Sequence, residues 1–146
     1  ASTSDFSASA LRETVEAALS IARHTAEDDC AGLAERELLA TTVPDLDLYH
    51  PWALSVESAI DLARRCEAAL AVSPLVTNSE GASVSTQESQ FVSANSLGFM
   101  AGYPTSRNYI ACSVIAGEGD AMQRDDWYST ARSGEALAAP EAIGDY

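Results

Sequence analysis

Histidines are frequent ligands in zinc sites that cut peptides, and this chain has two of them, His24 and His50. Such a site needs two or three ligands close together, often with a His-x-x-x-His pair on one helix. Neither histidine belongs to such a pair, because His24 falls at the end of a predicted helix and His50 precedes Pro51. We therefore expect no metal ligand, no cofactor and no metal-dependent catalysis in this segment.

The cysteines and serines offer no activated nucleophile. Cys30, Cys66 and Cys112 form no Cys-x-x-Cys pair, and no serine lies in a Gly-x-Ser-x-Gly turn. Cys66 falls on the apolar side of a predicted helix, and Cys112 alternates with apolar residues of a predicted strand. This pattern predicts two buried structural thiols and no catalytic residue.

Two clusters of side chains remain as candidates for a site. For a hydrolytic site the sequence offers only the run Arg124, Asp125 and Asp126 and the isolated histidines, and charged runs of this kind are more often exposed at the start of a strand. A second set fits binding better, because aromatic and arginine side chains concentrate at interfaces. The residues that we single out for peptide or partner binding are Tyr103, Arg107, Tyr109, Trp127 and Tyr128. The alternative is that they pack the sheet against its helices.

The charge of the chain restricts its partners. Its 146 residues have a net charge of −14, from 22 acidic and 8 basic side chains, and every basic residue is an arginine. The arginines are scattered among a larger number of carboxylates, so we expect neither nucleic acid nor an anionic membrane as a partner. This much acid indicates solubility or, alternatively, attraction of basic peptides.

The distribution of cysteines and apolar residues predicts a cytoplasmic protein. An odd number of widely spaced cysteines favours a reducing compartment. Charges interrupt the apolar stretches well before the ~18 residues of a membrane span, and residues 1–5 do not resemble a signal peptide. From the start at Ala1, without an initiator Met, we expect a fragment of a longer chain, although trimmed or processed ends would look the same.

The first half of the sequence has the spacing of helices. Leu11, Val15 and Leu19 recur at intervals of four, and Ser7 is a suitable N-cap, which predicts a helix to about residue 24. Residues 33–40 could form two further helical turns. After a connector with two prolines, a second amphipathic helix is expected from the Ser55 cap to about residue 72, before Pro74.

The second half has the spacing of strands. We expect a strand pair over residues 76–96 joined near residues 87–89, a bend at Gly98 and Gly102, a central strand at 107–116 and a returning strand at 122–132 after a glycine turn. The predicted class is α+β: two main helices, then an antiparallel meander of about four strands with the helices on one face. The expected organisation is one partial domain over 1–146, with a helical part at 7–72, a sheet at 75–132 and the start of a truncated helix at 140–146.

Short motifs in a fixed order link these elements to a known family. The strand half carries residues 77–81 (TNSEG), 95–98 (NSLG), Gly102-Tyr103 with Arg107, 113–116 (SVIA) and 120–125 (DAMQRD). The helical half carries residues 17–19, 21–23, 30–32, 37–40 and 44–48 in matching order and spacing. In this combination the chain resembles the PmbA (TldE) branch of the TldD/PmbA family, as an internal segment of its N-terminal domain.

The resemblance implies a function that composition alone does not. Family members are cytoplasmic bacterial proteins, also called modulators of DNA gyrase, and they pair with TldD in a metallopeptidase that acts on unfolded peptides such as microcin precursors and antitoxins. The zinc ligands belong to the TldD partner, so no residue here is expected to hold a metal. The resemblance also implies further strands before this segment and a domain after it.

The function expected from the resemblance is a noncatalytic structural and peptide-guiding part of a PmbA-like subunit. Its partners would be a TldD-like subunit and unfolded peptides, and the fragment alone could form a homodimer. Two alternatives remain: an enzyme domain with its own hydrolytic site, and a purely architectural domain that assembles the subunits.

Overall fold

A computed structural model describes residues 1–70 and 73–145, and its contacts divide the chain into two units, Ala1–Leu38 and Leu39–Tyr146. In the first unit, helix α1 spans Ala8–His24, and the Ser7 hydroxyl accepts a hydrogen bond from Ala10 N at 3.3 Å. The predicted first helix and its cap are therefore confirmed. A single 3₁₀ turn, Arg36–Leu38, replaces the two helical turns expected over residues 33–40.

The second unit contains two helices and a three-stranded sheet. Helix α2 spans Val56–Leu70, and strands β1, β2 and β3 span Val76–Ala94, Met100–Ala116 and Gln123–Ala131. A short helix α3, Pro140–Gly144, follows a 3₁₀ turn at Gly134–Ala136. The strands are antiparallel in the order β1-β2-β3, so the predicted α+β class and the central position of β2 are confirmed. Residues 71, 72 and 146, where two predicted helices end, lie outside the described residues.

The predicted turn at residues 87–89 is wrong. β1 runs through this point without a break and pairs with β2 from Val76↔Ala116 to Ala94↔Met100. The first two predicted strands are therefore one long strand, and the sheet has three strands rather than about four. Residues 87–89 are polar, as turns often are, but they include no glycine or proline. The chain turns at residues 95–99, where Gly98 has a φ of 90° and Asn95 Oδ1 accepts from Leu97 N and Phe99 N.

Alternation along β2 gives the sheet two different faces. We call the face that carries Ser106, Asn108, Ile110 and Cys112 the covered face, because α2 and α3 pack on it. Its core consists of Ile110 and Cys112 from β2, Cys66 from α2 and Ile143 from α3, all at most 3% exposed. The opposite face, which carries Tyr103, Arg107, Tyr109 and Tyr128, is called the open face.

Candidate functional site

The strand register sorts the five predicted binding residues between the two faces. Tyr103, Arg107 and Tyr109 alternate with the core residues of β2 and lie on the open face. Tyr128 is opposite Ala111 and joins them, whereas Trp127 is opposite Cys112 and lies on the covered face. The structure therefore brings four of the five residues to the open face and places Trp127 on the covered side of β3, with its ring centroid 6.5 Å from that of Tyr128.

Aromatic pairs form across the strands of the open face. The rings of Tyr109 and Tyr128 are stacked with centroids 5.7 Å apart, and those of Phe91 and Tyr103 are tilted at 5.4 Å. Between the two pairs, Arg107 Nε donates to Thr130 Oγ1 at 3.3 Å. The sequence prediction missed Phe91 as a member of this surface, because the false turn at residues 87–89 hid its position opposite Tyr103.

The charges of the open face balance each other despite the acidic composition of the chain. Its charged side chains are Arg107, Arg124, Asp126 and Glu80, and Glu80 of β1 forms an ion pair with Arg124 of β3. Asp125 is opposite Val114 and belongs to the covered face, so Asp125 and Asp126 extend to opposite sides of the sheet. The Arg124, Asp125 and Asp126 run therefore does not converge on one point. A neutral surface rich in tyrosine is typical of a binding interface.

Residues 39–55, which precede α2 and which we call the connector, are hydrogen-bonded to β2 at Ser106. Leu48 O accepts from Ser106 N at 2.9 Å, and the Ser106 hydroxyl accepts from His50 N at 2.8 Å. The same hydroxyl donates to Arg132 O at 2.8 Å, and that oxygen also accepts from Asn108 Nδ2 at 2.9 Å. Because Ser106 and Asn108 are each 1% exposed, these bonds satisfy the buried polar groups and fix the connector against the covered face.

The direction of the hydrogen bond from Ser106 N to Leu48 O shows which backbone groups of β1 are unpaired. Ser106 N points away from β1, so the even-numbered residues of β2 turn their N–H and C=O groups away from β1. Their even-numbered partners on β1, from Ala82 to Ala94, must then turn theirs to the outer edge of the sheet. Within residues 1–70 and 73–145, no other segment makes a backbone hydrogen bond to these groups. β1 thus presents a long unpaired edge.

On the other side of the sheet, the part of β2 that extends past β3 is less suited to pairing. β3 pairs with β2 only from Asn108 to Ala116, and the connector takes the N–H of Ser106. The next outward position is Pro104, which has no N–H to donate. Proline is a common means of preventing strand addition at a sheet edge. Beyond the end of β3, the outer edge of β1 is therefore the better candidate for binding an extended chain.

A groove lies beside the β1 edge at Tyr49. Tyr49 Oη donates to Glu88 Oε2 at 2.7 Å, which joins the connector to β1 and raises the pKa of Tyr49. The two residues line an open groove of about 340 Å³ together with Ser89, Gln90 and Pro104. Neither Tyr49 nor Glu88 was singled out from the sequence, because their contact depends on the path of the connector.

The histidines and buried cysteines make local contacts. His24 Nδ1 lies 2.7 Å from Ser20 O, and His50 Nε2 lies 3.2 Å from Asp47 Oδ1. Cys66 and Cys112 are buried, as predicted, and burial raises the pKa of the Cys66 thiol to about 12. In the part of the chain that the structure describes, no three His, Cys, Asp or Glu side chains form a group that could hold a metal ion.

Fold and site together define an α+β domain with helices on one face of an antiparallel sheet and a free strand edge beside an aromatic surface. Residues 49–146 match the family described as PmbA/TldA metallopeptidase central domain, and the chain belongs to this family. Since no metal-holding group was found among the described residues, they do not fit the metal that the family description implies. No helix in residues 1–70 or 73–145 has the length and apolar character needed to cross a membrane.

Curated relatives also support membership of this family. The chain is 45% identical over 145 residues to "Metalloprotease PmbA" of Escherichia coli O157:H7 and 43% identical over 146 residues to the "Metalloprotease PmbA homolog" of Haemophilus influenzae. Each alignment covers 99% of this chain and 32% of the relative, so the chain spans about a third of the proteins that it matches.

Solved structures show the same fold. A candidate modulator of DNA gyrase from Bacteroides thetaiotaomicron superposes with a TM-score of 0.81, over 99% of this chain and 34% of that one, at 23% identity. A second protein of that description, from Thermotoga maritima, superposes over 92% of this chain and 30% of that one, with a TM-score of 0.58 and the same identity. Likeness at this identity supports the arrangement of helices and strands, and the function is argued separately.

Proposed function

We propose that this chain is the noncatalytic structural and peptide-guiding part of a PmbA (TldE)-like subunit in a cytoplasmic metallopeptidase complex. A TldD-like subunit is the partner and supplies the zinc, and unfolded peptides are the substrates. The family and the names of the relatives support the setting. The single observation that carries the peptide-guiding role is the unpaired outer edge of β1.

Backbone pairing suits a substrate that has no fixed sequence. A strand that adds to a sheet edge gains main-chain hydrogen bonds whatever its side chains are, and neighbouring pockets then add selectivity. The outward groups of Val84, Thr86, Glu88, Gln90 and Val92 could pair with such a strand over most of β1. A peptide held here would be extended, which is the conformation that peptidases generally need at the cut bond.

The proposal is tested by removing one outward N–H. Thr86→Pro does so at an exposed position without removing a β1–β2 hydrogen bond, and Thr86→Ala keeps the N–H as the matched control. In the complete protein, with its partner subunit present, Thr86→Pro should weaken binding of a fluorescent unfolded peptide by about two- to tenfold, the worth of one hydrogen bond. Fluorescence anisotropy gives the affinity, and equal affinities of the two variants at unchanged melting temperature would argue against the edge.

A second candidate function is assembly of the subunits, and the open face favours it. This face is neutral and aromatic, and Tyr128 and Tyr103 are 52% and 39% exposed. If it contacts a TldD-like subunit, Tyr103→Ser together with Arg107→Ser should weaken subunit association and leave peptide affinity unchanged. Sedimentation of the two subunits together measures association, and sedimentation of this chain alone shows whether it forms a homodimer.

A further inference from the structure

The groove at Tyr49 differs from the rest of the β1 edge because it contains a carboxylate. Glu88 turns its backbone groups to the outer edge and its side chain to the covered face, beyond the helices. The side chain accepts the Tyr49 hydroxyl through Oε2 and is exposed. The ring of Tyr49, 43% exposed, and Pro104 supply apolar walls beside it.

Glu88 has no cationic partner among residues 1–70 and 73–145. The ion pairs found there join Arg65 to Asp61 and Glu141, and Arg124 to Glu80, and His50 Nε2 lies beside Asp47 Oδ1. Glu80, the other acidic residue of β1, is thus neutralised by Arg124. One hydrogen bond from a tyrosine leaves most of the acceptor capacity of the Glu88 carboxylate unused, since a carboxylate offers about four acceptor positions.

An added strand would place alternate side chains on the two faces, and the residue opposite Glu88 would have its Cβ about 4.5–5.5 Å away from that of Glu88. An arginine or lysine at that position could rest its aliphatic stem on Tyr49 and Pro104 and bring its charge to the carboxylate. We propose that the Tyr49–Glu88 groove makes the β1 edge selective for extended peptides with a basic residue at this position. The inference rests on the proposed peptide-guiding function.

The test separates selectivity from binding itself. The probes are three fluorescent unfolded decapeptides with one host sequence of alanine, threonine and glutamine and with arginine, glutamine or glutamate at the centre. Affinities are measured by anisotropy with the complete protein and its partner subunit. The arginine peptide should bind about two- to fivefold more tightly than the glutamine peptide, the usual worth of an exposed ion pair, and the preference should shrink in high salt.

Two variants assign the preference to the groove. Glu88→Gln keeps an acceptor for Tyr49 and should abolish the preference, so that the arginine and glutamine peptides bind with equal affinity. Glu57→Gln, an exposed change on α2 that removes the same charge, should retain the preference. A preference that survives Glu88→Gln would arise from the overall charge of −14 and would overturn the inference.

The remaining outcomes also decide the matter. If all three peptides bind equally and Thr86→Pro weakens them all, the edge guides peptides without selecting basic ones, so the inference fails and the proposed function stands. If no peptide binds the wild-type protein, both fail together.

Discussion

The two faces of the sheet differ in what their residues do. On the covered face, Ile110 and Cys112 are almost fully buried against α2 and α3, and the Ser106 hydroxyl and Asn108 Nδ2 are hydrogen-bonded. On the open face, Tyr128 is half exposed and contacts Tyr109. Both faces belong to the same three-stranded sheet, and only the direction of each side chain differs.

This comparison indicates that stability and binding are assigned to opposite sides of one sheet. Changes on the covered face should unfold the domain, whereas changes on the open face or at the β1 edge should alter what the folded domain binds.

The largest effect is expected when the centre of the covered face is truncated. Ile110→Ala leaves a cavity between β2 and the helices and should reduce the free energy of unfolding by about 2–5 kcal/mol. The matched control is Ile115→Ala, in the same strand but on the open face, where the side chain is only partly buried. Urea unfolding measures both variants. Similar losses in the two would mean that the open face is also part of the core.

The packing of α3 against α2 provides a second test of the covered face, farther from the sheet. A Cβ added at Gly144 would overlap Cys66 O and the Ala69 side chain. Gly144→Ala should therefore push α3 from α2 and cost about 1–3 kcal/mol of stability. At Gly32 an added Cβ meets no atom within 4 Å, so Gly32→Ala should change the melting temperature little. An unchanged melting temperature for Gly144→Ala would show that α3 is not held closely.

The buried thiol predicts how stability depends on alkaline pH. Burial raises the pKa of Cys66 from 9.0 to about 12, so the folded state holds this proton more tightly than the unfolded state. The stabilisation that comes from the protonated Cys66 thiol is complete below pH 9 and is lost as the pH rises toward 12. The free energy of unfolding should fall by at most about 1.4 kcal/mol per pH unit in this range.

Urea midpoints measured between pH 8 and 10.5 test this slope. Cys66→Ala should reduce the decline in stability with pH, whereas Cys30→Ala, at an exposed cysteine, should leave it unchanged. Parallel pH profiles for wild type and Cys66→Ala would contradict the assignment.

The smallest effect is expected on the open face. A double-mutant cycle with Tyr109→Leu and Tyr128→Leu should give a coupling of about 0.5–1 kcal/mol, the usual range for an aromatic pair. Thermal unfolding of the four proteins provides the values. A coupling well above this range would mean that the open face contributes to folding more than its exposure indicates.

Sequence patterns predicted the elements that have strong local signals. Ser7 and Ser55 mark the starts of two helices by capping, and the alternation over residues 107–116 identifies the central strand. The false turn at 87–89 arose because an exposed strand of serine, glutamine and glutamate has the composition of a loop. Its pairing with β2 over its whole length is a long-range property that local patterns do not contain.

The candidate site was predictable only in part. Aromatic and arginine residues were found by type, but their faces depend on register, and Trp127 was grouped with residues that lie on the other side of the sheet. Glu88 and Tyr49 are 39 positions apart, and nothing in either local sequence indicates that the connector brings them together. The unpaired β1 edge likewise became visible only from the direction of the Ser106 N–H.

The two long strands extend past the helices that cover their base. β1 has 19 residues and α2 has 15, so about 60 Å of strand lies beside about 22 Å of helix. Because β3 pairs no further than Asn108, the outer part of β1 and β2 is a two-stranded ribbon, which twists and bends more easily than the base. β1 is therefore rigid at the end that the helices cover and more flexible at the end that belongs to the two-stranded ribbon. Among the amide hydrogens of β1 that are bonded to β2, exchange with solvent should become progressively faster from Ser85 toward Ser93.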